Sequence, residues 1–213
     1  MTDRTQRIVD TAVELAEKGG FEAVRLRDVA SHAGVALGTL YRRFRSKEDL
    51  LIAALEQECA QLEQRVRARP LRGGTPLERV SGFFTVATRA LCRRPNLARA
   101  VLRAVASGDP ELTERVAGFH DLMTRLITAA LRGTAGTEPA PTSNRLPSER
   151  ERTLAYLLQH VWFASLVGWA GGLHGQSAVV ELVQTAAEWL LRDPHDARAP
   201  SARTAQDDGP ALG

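Results

Sequence analysis

Six cations stand between positions 25 and 47 of this 213-residue chain: Arg25, Arg27, Arg42, Arg43, Arg45 and Lys47. Asp28 is the one acid among them before Glu48. Guanidinium and ammonium groups at that density suit a polyanion. Phosphate attraction is the sequence-independent part of nucleic-acid affinity, so cations gather where a phosphate backbone docks. Leu37, Thr39 and Tyr41 lie between them. An arginine-rich helical face is also an ordinary solvated surface, so charge density alone does not decide. The net charge of +3 is too small to imply a polyanion, and its placement carries the argument.

The rest of the composition excludes more than it selects. Hydrophobic residues make up 44% and charged residues 25%, ordinary for a soluble globular chain. Cys59 and Cys92 form no CxxC pair and have no His/Cys cluster beside them. A disulfide scaffold and a zinc site are therefore not expected, and a reducing cytoplasm is. The start, MTDRTQRIVD, lacks the apolar stretch of a signal peptide, and no apolar run approaches the roughly 20 residues that span a bilayer. No nucleophile elbow, HExxH, P-loop or dinucleotide fingerprint occurs, so an enzyme is not expected. Neither a metal nor a cofactor is called for.

The elements that must position the cations are helical. Ile8, Ala12, Leu15 and Ala16 recur on one helical face until Gly19-Gly20. A short second helix holds Leu26, Val29, Ala30 and Ala33 and stops at Gly34. A third runs from about Leu37 to Phe44. Ser46 reads as an N-cap with Asp49 three residues on, opening a long helix from Lys47 to about Arg69. Further helical stretches are expected near 76–92, 95–107, 110–132, 149–171 and 176–192. The run 133–147 reads as a mobile loop and the tail from Pro194 as disordered. The chain is all-α by this reading, with residues 1–46, 47–193 and 194–213 as its three parts.

Val24 to Leu51 carries the sharpest pattern. Two helices that cross through a tight turn need a small residue at the crossing, and Ala30 fits. The turn needs a residue that tolerates positive φ, and Gly34 fits four positions on. The second helix needs an inward apolar residue, and Leu40 fits six positions later. This is helix-turn-helix spacing. The continuation Gly38-Thr39-Leu40-Tyr41, then Phe44, then Ser46-Lys47-Glu48-Asp49-Leu50 resembles the TetR family over about residues 5–55. Within it the run is most similar to actinobacterial regulators of sterol and lipid catabolism.

The resemblance implies a three-helix DNA-binding head on a helical ligand-binding and dimerisation domain. It makes residues 37–43 the recognition helix. Arg25, Arg27, Leu37, Gly38, Thr39, Tyr41, Arg42, Arg43 and Lys47 become the expected contacts to double-stranded operator DNA. Arg42 would take a guanine, while Tyr41 and Lys47 would reach phosphate; Tyr41 also has a purely structural reading. Arg25 stands where the family has a capping Thr or Ser, and Arg43 and Arg45 replace an aromatic or His and a Pro. That extra charge favours any DNA.

The second half is less distinctive. Tyr156, His160 and Phe163 share one face of a helix, and Trp162, Ser165 and Trp169 another. Phe83, Phe119, Met123, Tyr156, His160 and Phe163 are the candidate pocket residues for a small apolar or amphipathic effector, with ordinary core packing as the alternative. The resemblance implies a homodimer built on the last two helices. Leu157, Val161, Ala164, Leu182, Val183, Ala186 and Leu190 suit its seam. A ligand-independent scaffold that only dimerises remains the second reading. No membrane contact is expected.

Overall fold

The computed structural model describes residues 3–134 and 146–192, and every regular element among them is helical. The interior of the expected loop and the C-terminal tail lie outside these residues.

Three helices make the head. α1 (Asp3–Ala23) buries Ile8, Val9, Ala12, Val13 and Ala16. It departs from helical geometry at Gly19 and Gly20, then adds one turn that buries Phe21. α2 (Leu26–His32) buries Val29 and Ala30, and α3 (Leu37–Tyr41) buries Leu40. Between them Gly34 takes φ +64°, and the Val35 N–H closes the turn on the Ala30 carbonyl at 3.0 Å. α3 is one turn shorter than its spacing suggests. Arg43 and Phe44 both donate to the Leu40 carbonyl, and the chain turns there to bury Phe44 under the head.

α4 (Lys47–Ala68) belongs to head and body alike. Ser46 caps it through Oγ, which accepts from the Asp49 N–H at 3.0 Å. Leu50, Leu51, Ile52 and Ala54 are fully buried, and the helix packs against α1 as well as α5 (Pro76–Cys92), α6 (Pro95–Val105) and α7 (Thr113–Arg132). An apolar side chain so enclosed contributes about 1.5–3 kcal/mol. No Pro or Gly interrupts α4, so it can transmit displacement along its length.

The body is completed by α8 (Glu149–Ala170) and α9 (Gln176–Leu191). A single 3-10 turn, Pro110–Leu112, precedes α7, because Asp109 caps that turn with its carboxylate. Arg79 of α5 donates to the last carbonyls of α7, Ala130 at 2.9 Å and Leu131 at 2.8 Å, placing a cation at a helix C-terminus. Phe84 meets Phe83 edge-on and Trp162 at a tilt in the centre, and Trp162 Nε1 donates to Thr88 Oγ1 at 2.9 Å.

The head is seated on the body rather than hung from it. α1 packs along α6, and Asn96 donates to the Glu17 carbonyl at 2.9 Å. Phe21 carries Lys47 at 3.9 Å and Arg103 at 4.1 Å from its ring centre, while Glu22 accepts from both cations.

A Cβ at position 34 would meet no neighbour, so only backbone strain opposes a side chain there. Gly34→Ala is expected to cost about 1–2 kcal/mol, the penalty for an L-residue in the left-handed region, read from denaturant unfolding. A neutral result would show that the turn does not hold this geometry.

Candidate DNA interface and cavity

α3 presents an exposed face at the tip of the head. Tyr41 is 51% exposed and points outward, which leaves Leu40 and Phe44 as the core residues of this segment. A Cβ on Gly38 would meet nothing within 4 Å, so no packing requires glycine there. Its bare backbone instead leaves room for a ligand surface to approach. Arg42 is exposed and lightly held, its Nη2 donating to Thr39 Oγ1 at 3.1 Å. Leu37 is half-buried against the core.

Two shallow depressions adjoin α3. Thr39, Arg42 and Arg43 share one with Arg4, Arg7 and Asp3 of α1. Tyr41 shares the other with Arg25, Arg27, Lys47 and Glu22. The expected cations therefore fall on one surface. Arg4 and Arg7 join it although they lie thirty or more residues before α3. Their signal, two arginines on the polar face of the first helix, is legible only once α1 is placed beside α3. Arg25 sits at the N-cap of α2 with extended backbone and makes no side-chain cap. Arg45 pairs instead with Glu111 of the body at 3.1 Å.

Behind α4 lies a cavity with walls from five helices. α4 contributes Leu55, Glu58, Cys59 and Leu62; α5 contributes Ala87, Ala90 and Leu91; α6 contributes Val101, Leu102 and Val105. Phe119 and Met123 close it from α7, and Trp162, Phe163 and Leu166 from α8. Glu58 is its one charged wall and pairs with Arg94 at 3.4 Å. Burial, then the charges of Glu58 and Glu56, push the Cys59 thiol up to about 12, so it lines the wall as a neutral, unreactive group. The space is narrow. Its volume of about 30 Å³ has room for a water or two, against the roughly 300–1,000 Å³ of small-molecule sites.

Of the six candidate pocket residues, Phe119, Met123 and Phe163 reach this cavity. Phe83 does not, because it is wholly buried edge-on against Phe84. Tyr156 and His160 do not either. They lie on the outer face of α8, their rings 3.9 Å apart, with His160 stacked on His120 at 5.7 Å. Burial, then the neighbouring His160, lowers the His120 pKa. α8 is apolar on both sides, and its Trp162–Leu166 face is the one turned inward.

The outer side of α8 and α9 is apolar and open. Leu157, Ala164 and Leu182 are exposed, and Val161, Ala186 and Leu190 are half-buried. Val183 differs: at 1% exposure it packs inside its own core and is not part of that surface. Val167 and Trp189, at 45% and 67% exposure, extend the surface in its place.

A helix-turn-helix head with a cationic tip, fused through one helix to an all-α body with an apolar cavity, defines a one-component DNA-binding regulator. The chain belongs to the TetR family of bacterial transcriptional regulators, which are not enzymes. The pattern of the bacterial regulatory proteins of the tetR family matches residues 8–54, and that of the tetracyclin repressor-like C-terminal domain matches residues 73–190. The HTH-type transcriptional repressor KstR of Rhodococcus jostii is 36% identical over 191 residues, 90% of this chain and 84% of that one. A TetR transcriptional regulator from Rhodococcus sp. RHA1 superposes with a TM-score of 0.74 at 25% identity, covering 89% of this chain and 96% of that one. Thermus thermophilus FadR, a TetR-family repressor in complex with lauroyl-CoA, shares the fold with a TM-score of 0.68 at 22% identity, over 92% and 98% of the two chains. Among the described residues no helix is long and apolar enough to cross a membrane.

Lys47 lies at the first turn of α4, where a phosphate would also meet free helix N–H groups, but Glu22 already holds it. Lys47→Ala is expected to weaken binding to all DNA alike and to flatten the salt dependence by about one charge per subunit. An unchanged slope in a salt titration would remove Lys47 from the phosphate contacts.

Proposed function

We propose that this chain is a ligand-responsive transcriptional repressor. Two copies read a palindromic operator and leave it when an apolar or amphipathic molecule fills the cavity. The observation that carries this reading is the double duty of α4: its first turn adjoins the reading surface, and its middle forms a cavity wall.

In this reading α3 enters the major groove. The bare backbone at Gly38 allows close approach, Leu37 and Thr39 meet thymine methyls or base edges, and Arg42 takes a guanine through two N–H groups, with Arg43 second. Tyr41, Arg25, Arg27 and Lys47 contact phosphate on one flank, Arg4 and Arg7 on the other. A single head reads only a few base pairs. Joining two through the open face of α8 and α9 would set half-sites about 34–36 Å apart, one turn of DNA. Leu157, Val161, Ala164, Leu182, Ala186 and Leu190, with Val167 and Trp189, would form that seam, and pairing would remove a large apolar surface from water.

The narrowness of the cavity supplies the switch. An effector of ordinary size cannot enter without parting α4 from α7 and α8. It therefore binds an expanded state more tightly than the closed one, and that difference is all a ligand can use to shift an equilibrium. The apolar walls favour a hydrocarbon or ring system, and Glu58 with Arg94 offers the one polar anchor. The complex of the FadR structural relative with lauroyl-CoA accords with a lipid-derived effector.

Arg42→Ala is expected to cost about 1–3 kcal/mol on the operator and to relax preference at one base of each half-site. A loss uniform over all sequences would make Arg42 a phosphate contact. Titrating lauroyl-CoA, a free long-chain fatty acid and a sterol against the operator complex tests the switch. Release by at least one is expected. A complex that survives all three at saturation describes the ligand-free scaffold.

A further inference from the structure

One guanidinium joins the cavity to the reading head. Arg115, in the first turn of α7, is half-buried and nearly saturated. Its Nε and Nη2 donate to both oxygens of Glu56, at 2.8 and 2.6 Å. Its Nη1 donates to the Asp49 carbonyl at 3.0 Å and to the Asp49 carboxylate. Asp49 and Glu56 stand seven residues apart on one side of α4, so the fork spans two helical turns of it. The other oxygen of Asp49 accepts the backbone N–H of Arg45 at 3.0 Å, in the segment that leaves the recognition helix. Glu111, just before α7, holds the Arg45 side chain. Phe119 and Met123, four and eight residues past Arg115 on the same side of α7, are cavity walls.

We propose that Arg115 is the positioning residue through which the filling of the cavity reaches the DNA-reading segment. The proposal rests on the cavity being the effector site. α4 does not need Arg115 in order to fold: Ser46 caps it, Glu48 and Asp49 already favour its N-terminus, and Leu50, Leu51 and Ile52 bury it. What Arg115 adds is registry. A bidentate fork fixes both distance and angle, whereas apolar contacts between the same helices can slide. When Phe119 and Met123 are pushed outward, α7 draws Arg115 with it. Asp49 follows, and the backbone N–H of Arg45 loses or shifts its acceptor. Arg45 and its neighbours Arg42 and Arg43 then leave the position at which the head meets DNA. A lysine here would keep the charge but not the fork.

A double-mutant cycle tests this without an identified effector. Ala90 lines the cavity, and Ala90→Phe fills the narrow space in place of a ligand. The readouts are affinity for an operator duplex selected from random sequences by the wild-type chain, and amide exchange across residues 43–50. In the wild-type background Ala90→Phe is expected to weaken operator binding by about tenfold and to speed exchange at Arg45. With Arg115→Gln present, Ala90→Phe should change affinity less than about threefold, a coupling of the size seen between residues in one network. Arg115→Lys should fall between the two and serves as the folded control if Arg115→Gln melts. Equal weakening in all three backgrounds overturns the role of Arg115 while leaving the cavity reading in place. No effect of Ala90→Phe in the wild-type background overturns the cavity reading, and the proposal falls with it.

Discussion

The constraint on which this molecule depends is the burial of α4 in two cores at once. Leu50, Leu51 and Ala54 are enclosed where head meets body, and Leu55, Cys59 and Leu62 face the cavity one to three turns further on. A continuous helix with no Gly or Pro does not absorb a displacement at one end by bending in the middle. A change in the cavity must therefore be accommodated by moving the helix, and with it the segment that follows the recognition helix. The polar contacts sharpen this. Arg115 and Glu111 fasten the body to the entry of α4, while Phe21 with Lys47, Arg103 and Glu22 fastens the head to α6. Beside the packing of α1 on α6 and the Asn96–Glu17 hydrogen bond, these two points each involve a cation of the α3 surface or its backbone.

The electrostatics of the reading surface follow the same economy. Arg45 and Lys47 are each paired with a carboxylate of the protein, whereas Arg42 meets only a threonine hydroxyl. Exposed ion pairs are worth little in water, so in the proposed complex those carboxylates would yield readily to phosphate. They set where the cations rest in the free protein. Arg42, nearly free, is able to settle on a base edge, which demands an angle as well as a charge.

The head was largely legible in the sequence because each of its demands singles out a residue type. Positive φ at a turn selects Gly34, a close helix crossing selects Ala30, and an N-cap selects Ser46. The body was legible as helices but not as faces. In α8 both sides are apolar, so periodicity could not distinguish the wall of the cavity from the outer surface, and Tyr156 and His160 fell on the wrong side of that division. In α9 Leu182 and Val183 are neighbours of similar character, and only the packing of α9 on α5 and α8 turns Val183 inward. Phe83 was misplaced for a related reason: a large aromatic residue fills a core as readily as it lines a pocket. Arg4, Arg7 and Arg115 could not be singled out in the sequence because their neighbours lie between about 32 and 66 residues away.

The central claim is that filling the cavity moves the reading heads through α4. The most direct measurement is the distance between the two heads of the proposed dimer, read by pulsed electron resonance from a single spin label at Ser31→Cys, an exposed site on α2 away from the native, buried Cys59 and Cys92. The account predicts a narrow distance distribution for the unfilled protein, and a shifted, broader one once Ala90→Phe occupies the cavity. An unchanged distribution in a variant that no longer binds its operator would contradict it.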